Sequence, residues 1–373
     1  MIYFDYAATT PMSEVALEAY VDTAKKFYGN TNSLHDIGSV SDQLLKACKA
    51  KMASFIGGLD FQIFFTKGGS ESNLLGIDQL ISQSKGNHVI ISQAEHNSLQ
   101  QTRQLLESQG YQVSTVSFDE YGVVDLVQLK SLKRDDTCLV IVQHINGEIG
   151  TIQPINEISD WCSRHGIFLH VDAVQSFAKL DLSQIAEQVD SLSVSSHKIY
   201  GPKGIGFLYL RNPLVHQIER QSSYLLKGNT VDLPSVVAFT AAADQQISII
   251  ESENERMLRL RQLMMSHLGN EKAFTIYESD EIKQLPSIVG MGLDGVEGQL
   301  VMLECNRKGF AISTGSACDV KYQKLPSSMS AWSVEPNKAK EFFRVSFGKY
   351  TTEDDVIKLA RVLNDIVLHH VSI

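Results

Sequence analysis

From about residue 63 to residue 210 the chain alternates short apolar, β-branched runs with amphipathic stretches. The runs are IFF, HVIIS, VSTVSF, CLVIVQ, IFLHVDA, SLSVSS and GIGFLYL. Each has the length of a single strand, and between most of them lie helical patterns such as Ser98–Ser108 and Ile155–His165. Runs that are apolar throughout belong to strands buried on both faces, and strand–helix alternation predicts a largely parallel α/β sheet. The stretch SIIESENERMLRLRQLMMSH, Ser248 to His267, reads as one long helix. After it the pattern turns irregular, with short strands near Ser287–Gly292 and Arg344–Phe347 and a loop reading for PSSMSAWSVEP at 326–336. A bridging helix followed by a smaller α+β domain is the expectation, and 373 residues exceed what one core usually serves.

Composition narrows the function classes. With 43% apolar and 20% charged residues the chemistry is ordinary for a globular protein, and the net charge of −10 argues against direct binding to nucleic acid or acidic lipid. No apolar run approaches bilayer length and MIYFDYAATTPM has no basic leader, so a cytosolic protein is expected. Five cysteines stand at 48, 138, 162, 305 and 318 with no CxxC pair and no HExxH, which supports neither a disulfide framework nor a structural metal. Cys48, Cys138, Cys162 and Cys305 sit in apolar patterns and read as core thiols; Cys318, in STGSACDVKYQK, has no apolar setting.

Three segments offer groups for a bound cofactor. SVSSHKIYGPKGIG puts Ser195, Ser196, His197 and Lys198 at the end of an expected strand, where ligands of open α/β sheets bind. Asp172 follows the run IFLHV, with Gln175 three residues on. A carboxylate there either caps a turn or pairs with a cationic ring nitrogen, and pyridoxal phosphate needs that pairing together with a lysine for its Schiff base. FFTKGGSESNLLGI offers a strand, a Gly68-Gly69-Ser70 turn and a helix start suited to a phosphate. The match of Gly290-Met-Gly-Leu-Asp-Gly295 to GxGxxG lies in the irregular part and lacks an acidic residue at the right distance, so it reads as accidental.

FDYAATTP, TKGGSESN, AEHNSL, NGEIGT, HVDAVQSFAK, SSHKIYGPKGIG and STGSAC, in that order, resemble the NifS/IscS-type cysteine desulfurases among the class V, fold type I pyridoxal phosphate enzymes. The resemblance runs from about residue 2 to 355. It implies a large domain at 14–250 built on a mainly parallel seven-stranded sheet, and a smaller α+β domain from 1–13 and 251–373. It further implies that Lys198 forms the Schiff base, Asp172 pairs with the pyridinium nitrogen and Gln175 bonds the ring's phenolic oxygen. His96 would stack on the ring and handle protons. Gly69, Ser70, Ser195 and His197 would hold the phosphate, with Thr230 from the second subunit of a homodimer. Asn146 and Arg344 would hold the substrate carboxylate, a task suited to the planar arginine fork. Cys318 would take the sulfur of L-cysteine as a persulfide, leaving alanine, and pass it to an acceptor protein serving iron–sulfur assembly or thiolation of tRNA or a cofactor.

The chain departs from the family at SSYLLKGNTVD, where Lys227 and Asn229 replace an arginine and a glycine, and at Ser70, which replaces a threonine. Selenocysteine lyase, another lyase or aminotransferase, and a degenerate cofactor-binding scaffold in sulfur trafficking are the other readings the residues allow. Trp332, in the expected loop, reads either as an anchor for an acceptor or as simple packing.

Overall fold

The computed structural model describes residues 1–211, 230–269, 271–279, 283–315 and 325–370. Its strands in chain order are β1 (Ile2–Tyr3), β2 (Ile63–Thr66), β3 (His88–Ser92), β4 (Gln112–Val116), β5 (Thr137–Gln143) and β6 (Phe168–Asp172). They continue with β7 (Ser191–Ser195), β8 (Gly206–Leu210), β9 (Phe274–Ile276), β10 (Ile288–Leu293), β11 (Phe310–Ala311) and β12 (Phe342–Ser346). The seven apolar runs become one seven-stranded sheet in the order β2-β8-β7-β6-β5-β3-β4. Strands β7, β6, β5, β3 and β4 pair in parallel, whereas β8 runs against both β7 and β2. The reversal follows from the link 196–205, which is too short for the crossover that a parallel neighbour requires.

Both faces of this sheet are covered, which is why its strands carry no polar alternation. Along β3, Ile90 joins one core while Val89 and Ile91 join the other; along β5, Val140 and Val142 face Leu139 and Ile141 in the same way. Helices Gly69–Ser82 and Asn97–Ser108 close one side with Leu75, Leu80, Leu99 and Leu106. Helices Asp36–Ser54, Ile155–His165 and Leu233–Ile247 close the other with Met52, Ile158, Trp161 and Phe239. Cys48, Cys138, Cys162 and Cys305 are all buried, as their apolar settings predict, while Cys318 lies outside the described residues.

The long helix is Ile250–His267, and beyond it β9, β10 and β12 form an antiparallel sheet. Its core joins Met257, Leu260, Val289, Met291, Val345, Leu359 and Leu363 with Phe4 from the chain start, where β1 pairs in parallel with β11. The Gly290–Gly295 pattern belongs to this antiparallel sheet, and Gly290 packs against Ile149 and Phe342. Gly290 and Gly292 therefore serve the strand, and Gly295 the turn after it at φ +74. The expected loop at 326–336 is a finding against the sequence reading: short helices run over Ser327–Ala331 and Pro336–Lys340. They are held from outside themselves. Ser328 N–H donates to Glu148 Oε2 at 2.8 Å, Met329 is fully buried, and Phe118 N–H donates to the Ala331 carbonyl at 2.8 Å. Trp332 belongs to the same docking, its ring against Gly122 and near Tyr277, its Nε1–H on the Glu120 carbonyl at 3.2 Å.

A glycine gives one stability prediction. At Gly298, the first residue of helix Gly298–Arg307, a Cβ would lie 1.9 Å from the Phe342 carbonyl oxygen, so the helix reaches β12 only without a side chain. Gly298→Ala is expected to lower the unfolding free energy by about 1–3 kcal/mol, read as a lower urea midpoint at unchanged slope.

Candidate active site

Parallel strands end together, and the loops that leave β2, β3, β5, β6 and β7 enclose a cleft of about 1140 Å³ open to solvent. Gly69, Ser70, His96, Asn146, Asp172, Gln175, Ser195, His197, Lys198 and Arg344 all line it. Ten positions read from six separated segments thus meet at one strand-end crevice. Thr230 is exposed and is not part of the cleft of its own chain. Lys227, Asn229 and Cys318 lie outside the described residues, although Gly315 and Ser327, on either side of Cys318, both line the cleft.

The carboxylate is held most firmly. Asp172, the last residue of β6, is buried; its Oδ1 accepts from Val174 N–H and its Oδ2 from Asn73 Nδ2, both at 2.9 Å. The orientation of the Asn73 amide is fixed from behind, because its Oδ1 accepts from His170 Nε2 at 2.9 Å and from the Ser193 hydroxyl. Burial lowers the His170 pKa to about 3, so this ring is neutral and gives Nε2–H to Asn73 while Nδ1 accepts from Ser191 at 2.6 Å. Asn73 was quoted in TKGGSESN without a role; its place one helical turn after Gly69 was the only signal.

Lys198 Nζ, also lining the cleft, donates to the carbonyls of Ala7 at 2.6 Å and Ala8 at 2.8 Å. Burial and then the Arg344 charge bring its pKa down to about 8, with Asp5 and Asp172 opposing. An appreciable share of this lysine is therefore uncharged near neutral pH and half of it at about pH 8, as a nucleophile or base requires. His197 donates no charge either: burial, then Lys198, lower it to about 4, and its Nδ1 lies 3.1 Å from Thr9 Oγ1.

Helix Gly69–Ser82 points its N-terminus at the cleft. Gly68 sits at φ +135, and a Cβ on Gly69 would lie 2.6 Å from Val174 Cγ2, so the turn needs glycine to leave its N–H groups accessible. Thr66 Oγ1 on Ser72 Oγ at 2.7 Å and Glu71 Oε2 on Lys67 N–H at 2.6 Å hold the helix start in place. Such a terminus favours an anion.

His96 caps helix Asn97–Ser108, and its Nδ1 accepts from Ser98 N–H at 3.2 Å, which leaves the proton of the neutral ring on Nε2. The turn beneath it is clasped to β5 from both sides: Glu95 Oε1 accepts from Gln143 N–H at 2.8 Å, and Gln143 Nε2 donates to the Ala94 carbonyl at 2.6 Å. Burial pushes the Glu95 carboxyl well above the usual range, and Asp172 pushes in the same direction.

Arg344, in β12, is buried; its guanidinium donates to Asp5 Oδ1 at 2.6 Å and to the Gly147 carbonyl at 2.8 Å, and among the described residues its Nε has no partner. Asn146 spends its Oδ1 on Glu148 N–H and Ile149 N–H, at 2.8 and 3.0 Å, and turns its amide nitrogen to a ligand. Glu148 fastens Ser328, as above, and a Cβ on Gly315 would lie 3.6 Å from its Oε1. Asp5, Asn73, Glu95 and Glu148 were not singled out from the sequence.

An amine of lowered basicity, a buried carboxylate, a helix N-terminus and a buried arginine at the strand ends define a fold type I site, and residues 2–359 match the aminotransferase class-V family, to which the chain belongs. Within that family its relatives carry the names of sulfur-handling enzymes. A NifS protein of Bacillus subtilis (strain 168) is 40% identical over 367 residues, 96% of this chain and 93% of its own length. The cysteine desulfurase IscS of Dictyoglomus turgidum (strain DSM 6724 / Z-1310) is 32% identical over 373 residues, 98% of this chain and 94% of its own. Among solved structures, a NifS-like protein superposes with a TM-score of 0.88 at 27% identity, covering 99% of both chains. SspA in complex with cysteine superposes with a TM-score of 0.79 at 28% identity, covering 94% of this chain and all of its own.

Proposed function

We propose that the chain is a cysteine desulfurase that uses pyridoxal phosphate to convert L-cysteine to L-alanine and keeps the sulfur as a persulfide on Cys318. The convergence of Lys198, Asp172 and Arg344 on one cleft carries this reading. The cofactor fits the residues: an amine for its aldehyde, a fixed carboxylate for its ring nitrogen, and a glycine-built helix start for its phosphate. Lys198, Asp172, Gln175, Gly69, Ser70, Ser195 and His197 would hold it, with Thr230 supplied by the partner of a homodimer. When bound, it supplies an electron sink for the bonds around the substrate's Cα.

The protein's share follows from its side chains. Arg344 and Asn146, both lining the cleft, orient the substrate carboxylate. Lys198, with its amine partly unprotonated, takes the Cα proton. The Cys318 thiolate then forms an S–S bond to the substrate sulfur while the substrate's C–S bond breaks and its electron pair passes to carbon. Protons held at Lys198 Nζ and His96 Nε2 complete alanine. The persulfide passes to a sulfur-acceptor protein serving cluster assembly or thiolation, so any tRNA is met through that partner. Among the described residues no helix is long and apolar enough to cross a membrane, and we place the enzyme in the cytoplasm. We also divide the chain into a cofactor-holding unit at 14–250 and a smaller unit at 1–13 and 251–373; the core shared by Phe4 with residues between Met257 and Val367 supports this.

Purified protein with added pyridoxal phosphate is expected to release alanine from L-cysteine; alanine from L-selenocysteine alone would redirect the assignment to selenocysteine lyase. A second expectation concerns pH. Only the unprotonated amine attacks an aldehyde, so the rate at which cofactor-free protein couples to pyridoxal phosphate should rise with pH up to about 8 and level off above it. An ordinary lysine, titrating near pH ~10.4, would keep the rate climbing well past that point.

A further inference from the structure

One lysine beside the cleft has no part in the chemistry above. Lys179 leaves the turn after β6 just past Ala178, which holds φ at 56, a left-handed conformation uncommon for a residue with a Cβ. Its carbonyl accepts from Asn254 Nδ2 at 2.9 Å, which ties the turn to helix Ile250–His267. Its Nζ donates to Gln175 Oε1 at 2.9 Å. Among the described residues no carboxylate pairs with this amine. The nearest acid around the small cavity behind the site, Glu253, is engaged by Arg256 at 2.8 Å. Burial, followed by the like charges of Lys198 and Arg344, lowers Lys179 to about 7. A partly buried cation without a counter-ion costs stability, and a methionine would fill the same space without that cost.

What a methionine lacks is an N–H, which the lysine offers in either protonation state. A side-chain amide presents one of two faces, and a donor at Lys179 leaves only one satisfied arrangement. Oε1 faces Lys179, and Nε2 faces the Ala7 carbonyl, 2.8 Å away, and the cleft. Gly147 stands directly against that nitrogen, since a Cβ there would lie 3.2 Å from Nε2. One N–H of Gln175 is taken by Ala7 and the other is left for a ligand.

Resting on the cofactor assignment above, we propose that Lys179 is a positioning residue: it turns the Gln175 amide so that the cleft meets an N–H donor, which selects an oxyanion, the ring oxygen of the cofactor, at that point. Lys179 acts only through Gln175, and a double-mutant cycle separates this from a structural role.

The test compares Lys179→Met, Gln175→Ala and the double variant, with the affinity of cofactor-free protein for pyridoxal phosphate measured by equilibrium dialysis and the absorption maximum of the bound form. Lys179→Met is expected to weaken binding about tenfold and move the maximum. The double variant is expected to match Gln175→Ala alone. Unchanged binding in Lys179→Met, or a double variant whose loss is the product of the two single losses, overturns the role. Lys179→Leu, which likewise offers no N–H, serves as a second variant if the methionine protein does not fold. Exchange of the Gln175 side-chain amide hydrogens in cofactor-free protein, followed by NMR, decides the positioning independently. It is expected to be slow in the parent and faster in Lys179→Met; equal rates overturn the role. A parent protein that fails to bind pyridoxal phosphate removes the cofactor assignment, while the exchange measurement still decides what Lys179 does to Gln175.

Discussion

Lys198→Ala loses turnover of L-cysteine by about 10⁴-fold or more, and the protein no longer holds pyridoxal phosphate in its coloured, covalent form. The size follows from the two tasks that the proposed mechanism puts on one atom. Lys198 Nζ is the amine of lowered pKa in the cleft that Asp172 also lines. Removing it takes away both the covalent link and the base for the Cα proton. The remaining contacts, Asp172 with Asn73 and the helix start at Gly69, are untouched by the substitution, so cofactor still binds without its covalent link. Absorption spectra of the dialysed variant check the link, and alanine assays check the rate. Residual turnover above a hundredth of the parent's would mean that another group is the base.

Cys318→Ala leaves the coloured cofactor in place and abolishes transfer of sulfur to any acceptor, with alanine release from L-cysteine falling roughly 10³-fold or more. The other four cysteines cannot substitute, because Cys48, Cys138, Cys162 and Cys305 are buried, and burial pushes Cys162 and Cys305 up to about 12, far from the thiolate form. The colour survives because none of the groups that hold the cofactor is near position 318 in sequence. Alanine release at the parent rate in this variant would describe a lyase that frees its sulfur without persulfide chemistry.

Much of this was written in the pattern of the chain, for physical reasons. A sheet buried on both faces leaves unbroken apolar runs, and all seven became strands of one sheet. Strand-end loops carry polar residues that packing does not require, which made Asp172, Lys198 and the Gly68–Ser70 turn visible. What escaped was of another kind. The reversal of β8 depends on the length of a link. The helices at 327–331 and 336–340 have no apolar period of their own; the first is fixed by Glu148, by the burial of Met329 and by the seating of Trp332 on Gly122, the second by the Glu335 cap and the pairing of Lys338 with Asp294. Asn73, Asp5 and Glu95 reach the site through partners distant in sequence, Asp172, Arg344 and Gln143, and no local pattern announces such pairs.

The most direct measurement is a single turnover. Reduced protein loaded with pyridoxal phosphate is mixed with one equivalent of L-cysteine, quenched with an alkylating agent and digested, and the peptide containing Cys318 is weighed while free alanine is counted. A peptide heavier by one sulfur atom, in step with the alanine released, is the predicted result. Alanine without added sulfur on that peptide, or added sulfur on Cys48, Cys138, Cys162 or Cys305 instead, would contradict Cys318 as the residue that takes the sulfur.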